Sequence, residues 1–236
     1  SPIGLLLTGR RQLDRILVHS IADLNNLKNI GIVNNVTLFP HGILDFDMSN
    51  TLSRNRFLPI QRIKKIATYG FLLPHKGIIQ LIDAINILRN KNFIVSLNLF
   101  NSIYSDEYSY LYNEVVNKIS SLGLNDLINL NAEYISDQES LRLLAMNDLI
   151  VFPYQHTKES SSAAVRHGLA TGKPVLVTPL EVFQDVSSLV TFSSGISPMD
   201  LANAILNWYE SDKDSNDPNI EKRRRRLIKD RSFQNI

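Results

Sequence analysis

The 236-residue chain has no cysteine. Disulfides and thiolate metal sites are therefore excluded, and a reducing compartment is compatible with the composition. Charge of one sign is not in excess either. Lys and Arg number 25 against 23 Asp and Glu, a formal charge of +2, which does not point to nucleic acid as a partner. No apolar run approaches the roughly 20 residues of a membrane-spanning helix. The opening stretch SPIGLLLTGRRQLDR lacks the basic start, apolar middle and small-residue cleavage site of a secretory signal. It also lacks an initiator Met, and the chain reads as a piece of something longer. Several catalytic signatures are missing as well. There is no G-x-G-x-x-G dinucleotide fingerprint, no G-x-x-x-x-G-K-[ST] phosphate loop and no G-x-S-x-G nucleophile elbow. The histidines, His19, His41, His75, His156 and His167, do not form H-E-x-x-H or another ligand spacing, so no metal site is expected.

What is present is ordinary for a globular protein, 44% hydrophobic and 20% charged, and it is strongly patterned. Arg15 to His19 and Val36 to Phe39 read as strands around a helix from Ala22 to Ile30. The turn Pro40-His41-Gly42 follows, and residues 45 to 62 have no period and read as a loop or linker. From Lys65 onward short apolar runs alternate with helical patterns. The expected strands are Ile66 to Tyr69, Phe93 to Phe100, Leu127 to Leu130, Leu149 to Pro153, Val175 to Thr178 and Val190 to Phe192. The expected helices are Lys76 to Arg89, Asp106 to Leu122, Asp137 to Met146, Ser160 to Thr171 and Pro198 to Glu210. In the first of these, Ile78, Leu81, Ile82, Ile85 and Leu88 share one face. Gly123 and Gly172 close two of the others. Strands separated by helices imply an α/β fold, a doubly wound parallel sheet of Rossmann-like type. Such sheets bind ligands at the C-terminal ends of their strands. That edge comprises Gly70 to Lys76, Asn101, Ala132 to Ile135, Tyr154 to Ser162 and Pro179 to Phe183. The tail Glu221 to Arg231 is a charge cluster read as a terminal helix.

Two constellations lie on this edge. In Gly70-Phe-Leu-Leu-Pro-His-Lys76-Gly77, Gly70 lets the backbone approach a ligand, Gly77 opens a helix, and Lys76 sits where a helix start already favours anions. The plain alternative is a strand-to-helix turn with a solvated lysine. In Lys158 to Pro179, KESSSAAVRHGLATGKPVLVTP, Glu159 precedes Ser160, Ser161 and Ser162, which are good helix starters with backbone N–H groups unpaired within the helix. Ala163, Ala164 and Gly168 allow close packing on the sheet. A well-capped packing helix is the alternative there.

Taken in order, G-x-x-x-P-x-K-G after a first strand, an acid about eighty residues later and G-[KR]-P-V-[IL]-x-[ST] resemble the C-terminal half of nucleotide-sugar glycosyltransferases. The resemblance is to the retaining group 1 family of the two-Rossmann-domain GT-B type, and it covers roughly Ile16 to Glu210. It implies the following organisation. Residues 1–40 would be a remnant of the N-terminal acceptor domain and the crossover, 41–62 a linker, 63–212 the donor domain and 213–236 a basic helix or tail. Lys76 would contact the donor diphosphate and Glu159 the sugar hydroxyls. Ser160, Ser161 and Ser162 would border the diphosphate, with backbone N–H groups of Ser161 and Ser162 donating to it. Gly70 and Phe71 would line the donor site, and Ala132 to Ile135, Tyr134 included, would line the base. A helix N-terminus with a lysine can stabilise a leaving diphosphate without metal or cofactor. The reaction implied is transfer of a sugar with retention to a hydroxyl acceptor, in synthesis of a glycan such as polysaccharide, lipopolysaccharide or capsule.

The chain departs from the family's pattern in three ways. The second acid of the Glu-x7-Glu motif is His167, so ribose contact falls to an imidazole. The arginine common after the first glycine is Phe71, and Arg166 is the candidate to replace that cation. The acceptor domain, normally about 150 residues, is represented by some forty, so this stretch is expected to bind donor without completing transfer. His156 lies at the mouth of the expected site, either as a donor contact or as a solvated loop residue. The expected partners are a nucleotide-sugar donor, a glycan or lipid-linked acceptor and the missing N-terminal domain, but not nucleic acid. The run Lys222 to Arg226 is either a solvated helix end or a contact for anionic lipid, which would place a cytoplasmic protein at the inner membrane face. Two other readings stay open, a non-catalytic sugar-nucleotide-binding or interaction domain and an epimerase of the same architecture.

Overall fold

A computed structural model describes residues 13–44, 46, 63–212, 226, 229 and 230. Its centre is a sheet of six parallel strands. In chain order these are β3 (Lys64–Leu72), β4 (Val95–Ile103), β5 (Ile128–Asn131), β6 (Leu149–Phe152), β7 (Val175–Val177) and β8 (Thr191–Phe192). Their spatial order is β5-β4-β3-β6-β7-β8. The chain thus lays three strands outward from β3, then returns to the other side of β3 for three more. That return is the topological switch point at which open α/β sheets form a crevice. A separate two-stranded parallel sheet joins β1 (Ile16–Val18) to β2 (Val36–Leu38) across α1 (Ile21–Asn29).

Helices cover both faces: α2 (Ile78–Asn90), α3 (Ser109–Ser121), α4 (Asp137–Ala145), α5 (Ala163–Ala170) and α6 (Pro198–Asp212). The strands divide their side chains between two cores. Leu149 and Val151 of β6 join the layer under α2, α3 and α6. Ile150 and Phe152 join the layer under α4 and α5. This is the period-two alternation of a strand, and because both faces are covered, all four residues are buried. On α2, Ile78, Leu81, Ile82, Ile85 and Leu88 are buried, the face that the 3.6-residue period assigns to the sheet.

Side-chain caps set the helix starts. The hydroxyls of Ser20, Ser136 and Ser162 accept the backbone N–H groups of Asp23, Glu139 and Val165. The glycine stops behave as expected. Gly123 and Gly172 have φ of 61° and 69°, the left-handed geometry that ends a helix.

Boundaries shift where backbone pairing overrides the apolar pattern. Strand β3 runs to Leu72 because its ladder with β4 continues through Gly70↔Asn101 to Leu72↔Ile103. Lys76 belongs to a 3-10 turn, Pro74–Lys76, and α2 begins only at Ile78. Helix α5 begins at Ala163, with Ser162 as its cap and Ser160 and Ser161 ahead of it. Residues 41–44 do not run free as a linker. Ile43 is fully buried in the core beneath α5, with Leu44 packed beside it. Of the expected loop 45–62, all but Phe46 lies outside the described residues, as does most of the expected tail helix. Arg226, Lys229 and Asp230 of that tail are helical and exposed.

Candidate functional site

The crevice arises from strand lengths. Strand β3 pairs with β6 only at Ile66↔Leu149 and Ala67↔Ile150. Beyond Ala67, β3 follows β4 while β6 follows β7. The C-terminal ends of β3 and β6 therefore part and leave a cleft of about 650 Å³. Its walls are the segment after β3, the segment after β6 with the start of α5, and the rims of β4 and β5.

One turn brings the first constellation to the second. Gly77 has φ of 71°, and a Cβ at this position would overlap the carbonyl oxygen of Pro153 at the end of β6. Only glycine can sit there, both for conformation and for space. The Gln155 N–H donates to the His75 carbonyl at 2.7 Å, and the Gln155 amide donates to Pro153 and Ile196 carbonyls. The Pro74–Gly77 turn is thus held against the segment that carries Glu159.

Glu159 is gripped from that turn. Its carboxylate accepts from Lys76 Nζ at 3.0 and 2.9 Å and from His75 Nε2 at 2.9 Å. A carboxylate partner requires the hydrogen on Nε2 of His75. Burial opposes ionisation of Glu159, but the hydrogen bonds and charges of Lys76 and His75 outweigh it and hold the carboxyl below its usual range. Lys76 is buried, with its ammonium 4.0 Å from the centroid of the Tyr154 ring. The Tyr154 hydroxyl meets Ser162 Oγ at 3.0 Å, so cation, ring and helix cap form one connected wall.

Most of the expected site residues share this cleft. Gly70, Phe71, Lys76, Tyr134, Glu159, Ser160, Ser161, Ser162 and His167 all line it. His167 lies 3.2 Å from Asp137 Oδ1 through Nε2 and packs on Tyr69. Phe71 meets Tyr104 edge-on with centroids 5.1 Å apart, so the wall where the resemblance has arginine is aromatic.

Two expected residues lie elsewhere. Arg166 is buried and turned away. Its guanidinium donates to Asp185, to the Ser162 carbonyl at 2.5 Å and to the His41 carbonyl at 3.3 Å. One residue before His167 on an α-helix is about 100° around the axis, and that face meets the loop after β7 rather than the cleft. Arg166 therefore does not supply the cation that Phe71 lacks. His156 lines a smaller neighbouring cleft of about 270 Å³, together with Asp23 and Asn26 of α1 and Leu180 to Val182. Glu159 and Ser160 form the wall between the two clefts.

The sequence reading did not single out His75, Tyr104, Asp137, His19 or His41 as site residues. His75 sits inside the G-x-x-x-P-x-K-G motif, so its neighbour Lys76 was a signal for it. His19 and His41 reach the cleft from the β1–β2 unit, with rings stacked 3.8 Å apart, and nothing local announces that. Burial, then the charges of His19 and Arg166, push the His41 imidazole below its ordinary value, with Asp185 acting in the other direction. Among the described residues no group of three or more His, Cys, Asp or Glu is placed to hold a metal ion, and no helix is long and apolar enough to cross a membrane.

Known structures share this architecture. A glycosyltransferase from Rickettsia africae superposes with a TM-score of 0.74 at 14% identity, over 94% of this chain and 60% of that one. HepE of Anabaena, solved in complex with UDP and glucose, gives 0.74 at 17% identity, over 95% and 60%. The C-terminal domain of LpcC, a glycosyl transferase group 1 family protein from Francisella tularensis, gives 0.54 at 15% identity, over 64% and 77%. The fold is that of the C-terminal half of GT-B glycosyltransferases. At these identities the likeness is one of fold, and the chain spans 60% of the length of the first two proteins. No family model matches the chain, and no curated protein matches it in sequence.

Proposed function

We propose that this chain is the donor-binding half of a glycosyltransferase that takes a nucleoside-diphosphate sugar. The observation that carries the reading is the Lys76–Glu159–His75 cluster. It lies at the switch-point crevice beside the N-terminus of α5. The cluster provides a cation for a diphosphate and a carboxylate for sugar hydroxyls, and the start of α5 adds backbone donors beside them. In the reaction the diphosphate leaves with its charge held by Lys76 and the N–H groups of Ser161 and Ser162. HepE, a fold neighbour, binds UDP-glucose, which makes a UDP-sugar the first donor to try.

The finer parts of the proposal are that transfer proceeds with retention, that the acceptor is a glycan or lipid-linked hydroxyl held by a preceding domain, and that the protein works at the cytoplasmic membrane face through its basic tail. The second reading is a domain that binds a sugar nucleotide without turnover. It is favoured by Phe71 and His167 standing where the resemblance has arginine and glutamate.

Calorimetric titration with UDP, GDP, ADP and CMP, each alone and as its sugar conjugates, tests the donor reading. Lys76→Ala should weaken the diphosphate that binds by about 1.5–3 kcal/mol, the range for a hydrogen bond to a charged group. Glu159→Ala should weaken the sugar conjugate while leaving the bare diphosphate as tight or tighter, because it frees Lys76. A Glu159→Ala loss equal for both ligands would contradict the assigned roles. Turnover by the protein with its preceding domain would exclude the second reading.

A further inference from the structure

The cleft is poor in positive charge for a site that would hold a diphosphate. Lys76 is its only Lys or Arg among the described lining residues, and both oxygens of Glu159 bond it. Asp137 adds a second carboxylate, so one cation faces two acids. Arg166 is committed to Asp185. The remaining ionisable groups able to become positive are imidazoles, and two of them come from the β1–β2 unit. The His19 and His41 rings stack with planes inclined by 20°. The Nδ1–H of His19 donates to the Phe39 carbonyl at 2.7 Å, which leaves Nε2 for another partner. No described residue bonds the His41 ring through a hydrogen bond, although its backbone carbonyl is fixed by Arg166. The charged and titratable groups around the pair are Arg166 on α5 and Asp185 in the 3-10 helix Glu181–Val186 after β7, with Lys76, Glu159, Asp137 and His167 also lining the cleft.

We propose that His19 and His41 are the second half of the anion subsite, and that they take up a proton when the donor diphosphate binds. This rests on the donor reading above. Two rings 3.8 Å apart hold one proton far more readily than two, since like charges at that distance repel. An incoming diphosphate opposes the burial and neighbouring charge that lower the His41 imidazole, because a nearby anion stabilises an imidazolium. The pair also gives the β1–β2 unit a direct part in the donor site.

UDP-glucose is the probe, or whichever conjugate of the panel binds. Its diphosphate has no terminal phosphate group to titrate, whereas a terminal phosphate has a second ionisation near about 6. Calorimetry in two buffers of different ionisation enthalpy should show uptake of up to about one proton, and affinity should rise as pH falls between about 8 and 6, by at most tenfold per unit. The doubly substituted His19→Gln/His41→Gln protein should retain its fold by circular dichroism and lose both the uptake and the slope. Imidazole NMR of the native protein gives a reading independent of any variant, because His19 or His41 should titrate higher with ligand bound. Binding without proton uptake, or a slope that survives the double substitution, overturns this inference and leaves the donor reading standing. Absence of binding by every conjugate across the pH range overturns both.

Discussion

Replacing Gly77 with alanine tests how the site is assembled. The residue has φ of 71°, and its added Cβ would meet the Pro153 carbonyl oxygen and carbon, both rigid backbone atoms of the strand end. Left-handed geometry costs a side-chain-bearing residue roughly 1–2 kcal/mol. Relieving the overlap requires the Pro74–Gly77 turn to lift from β6, an overpacking cost of about 1–3 kcal/mol. The lift also strains the 2.7 Å bond from Gln155 N–H to the His75 carbonyl, a further ~0.5–1.5 kcal/mol. The expected loss is therefore about 2.5–6.5 kcal/mol, and roughly 5–25 °C in Tm for a chain of this size. Gly172 is the control. Its φ is 69°, but nothing lies within 4 Å of a Cβ there, so Gly172→Ala carries the conformational cost alone, roughly 1–2 kcal/mol. Urea melts of both variants measure the difference, and donor titration then reads whether Lys76 and His75 have left Glu159. Equal losses for the two glycines would refute the claim that the turn is seated on β6.

Two further expectations follow from the charged groups. Because the Glu159 carboxyl is held below its ordinary value of 4.5, it contributes stability that is present above that value and is lost as pH falls through its folded value. Glu159→Gln should therefore be less stable than the native protein near neutrality, and the gap should close in acid, where a protonated Glu159 resembles glutamine. Denaturant melts across the acid limb check this, and a gap that persists in strong acid would point to packing rather than charge. Arg166→Met should cost up to about 3–5 kcal/mol, because it leaves the partly buried Asp185 carboxylate beside an apolar side chain. The double change Arg166→Met/Asp185→Leu should recover most of that in thermal melts. A stability change below 1 kcal/mol in the single variant would show that the pair is solvated in solution.

The sequence by itself determined the order and type of elements from Lys65 to Glu210, and with them the doubly wound class. Those signals are local. Periodicity tells each segment which face is apolar, and glycines mark the ends of α3 and α5 whatever their neighbours do. It also placed the candidate site residues at strand ends, since Gly70, Lys76, Gly77, Glu159 and Ser160 to Ser162 fall between a strand and the following helix in the expected pattern. Tertiary structure decided the pairings. Lys76 and His75 reach Glu159 across 83 and 84 residues because β6 returns beside β3, and no local pattern encodes that strand order. It also decided directions. Arg166 and His167 are adjacent in the chain, yet the helix turns one toward Asp185 and the other into the cleft. The stacked His19 and His41 are likewise a tertiary product, twenty-two residues apart in the chain and brought together by the pairing of β1 with β2. Local physics writes the elements and their polar ends, whereas the charge balance of the cleft is settled only when distant segments pack.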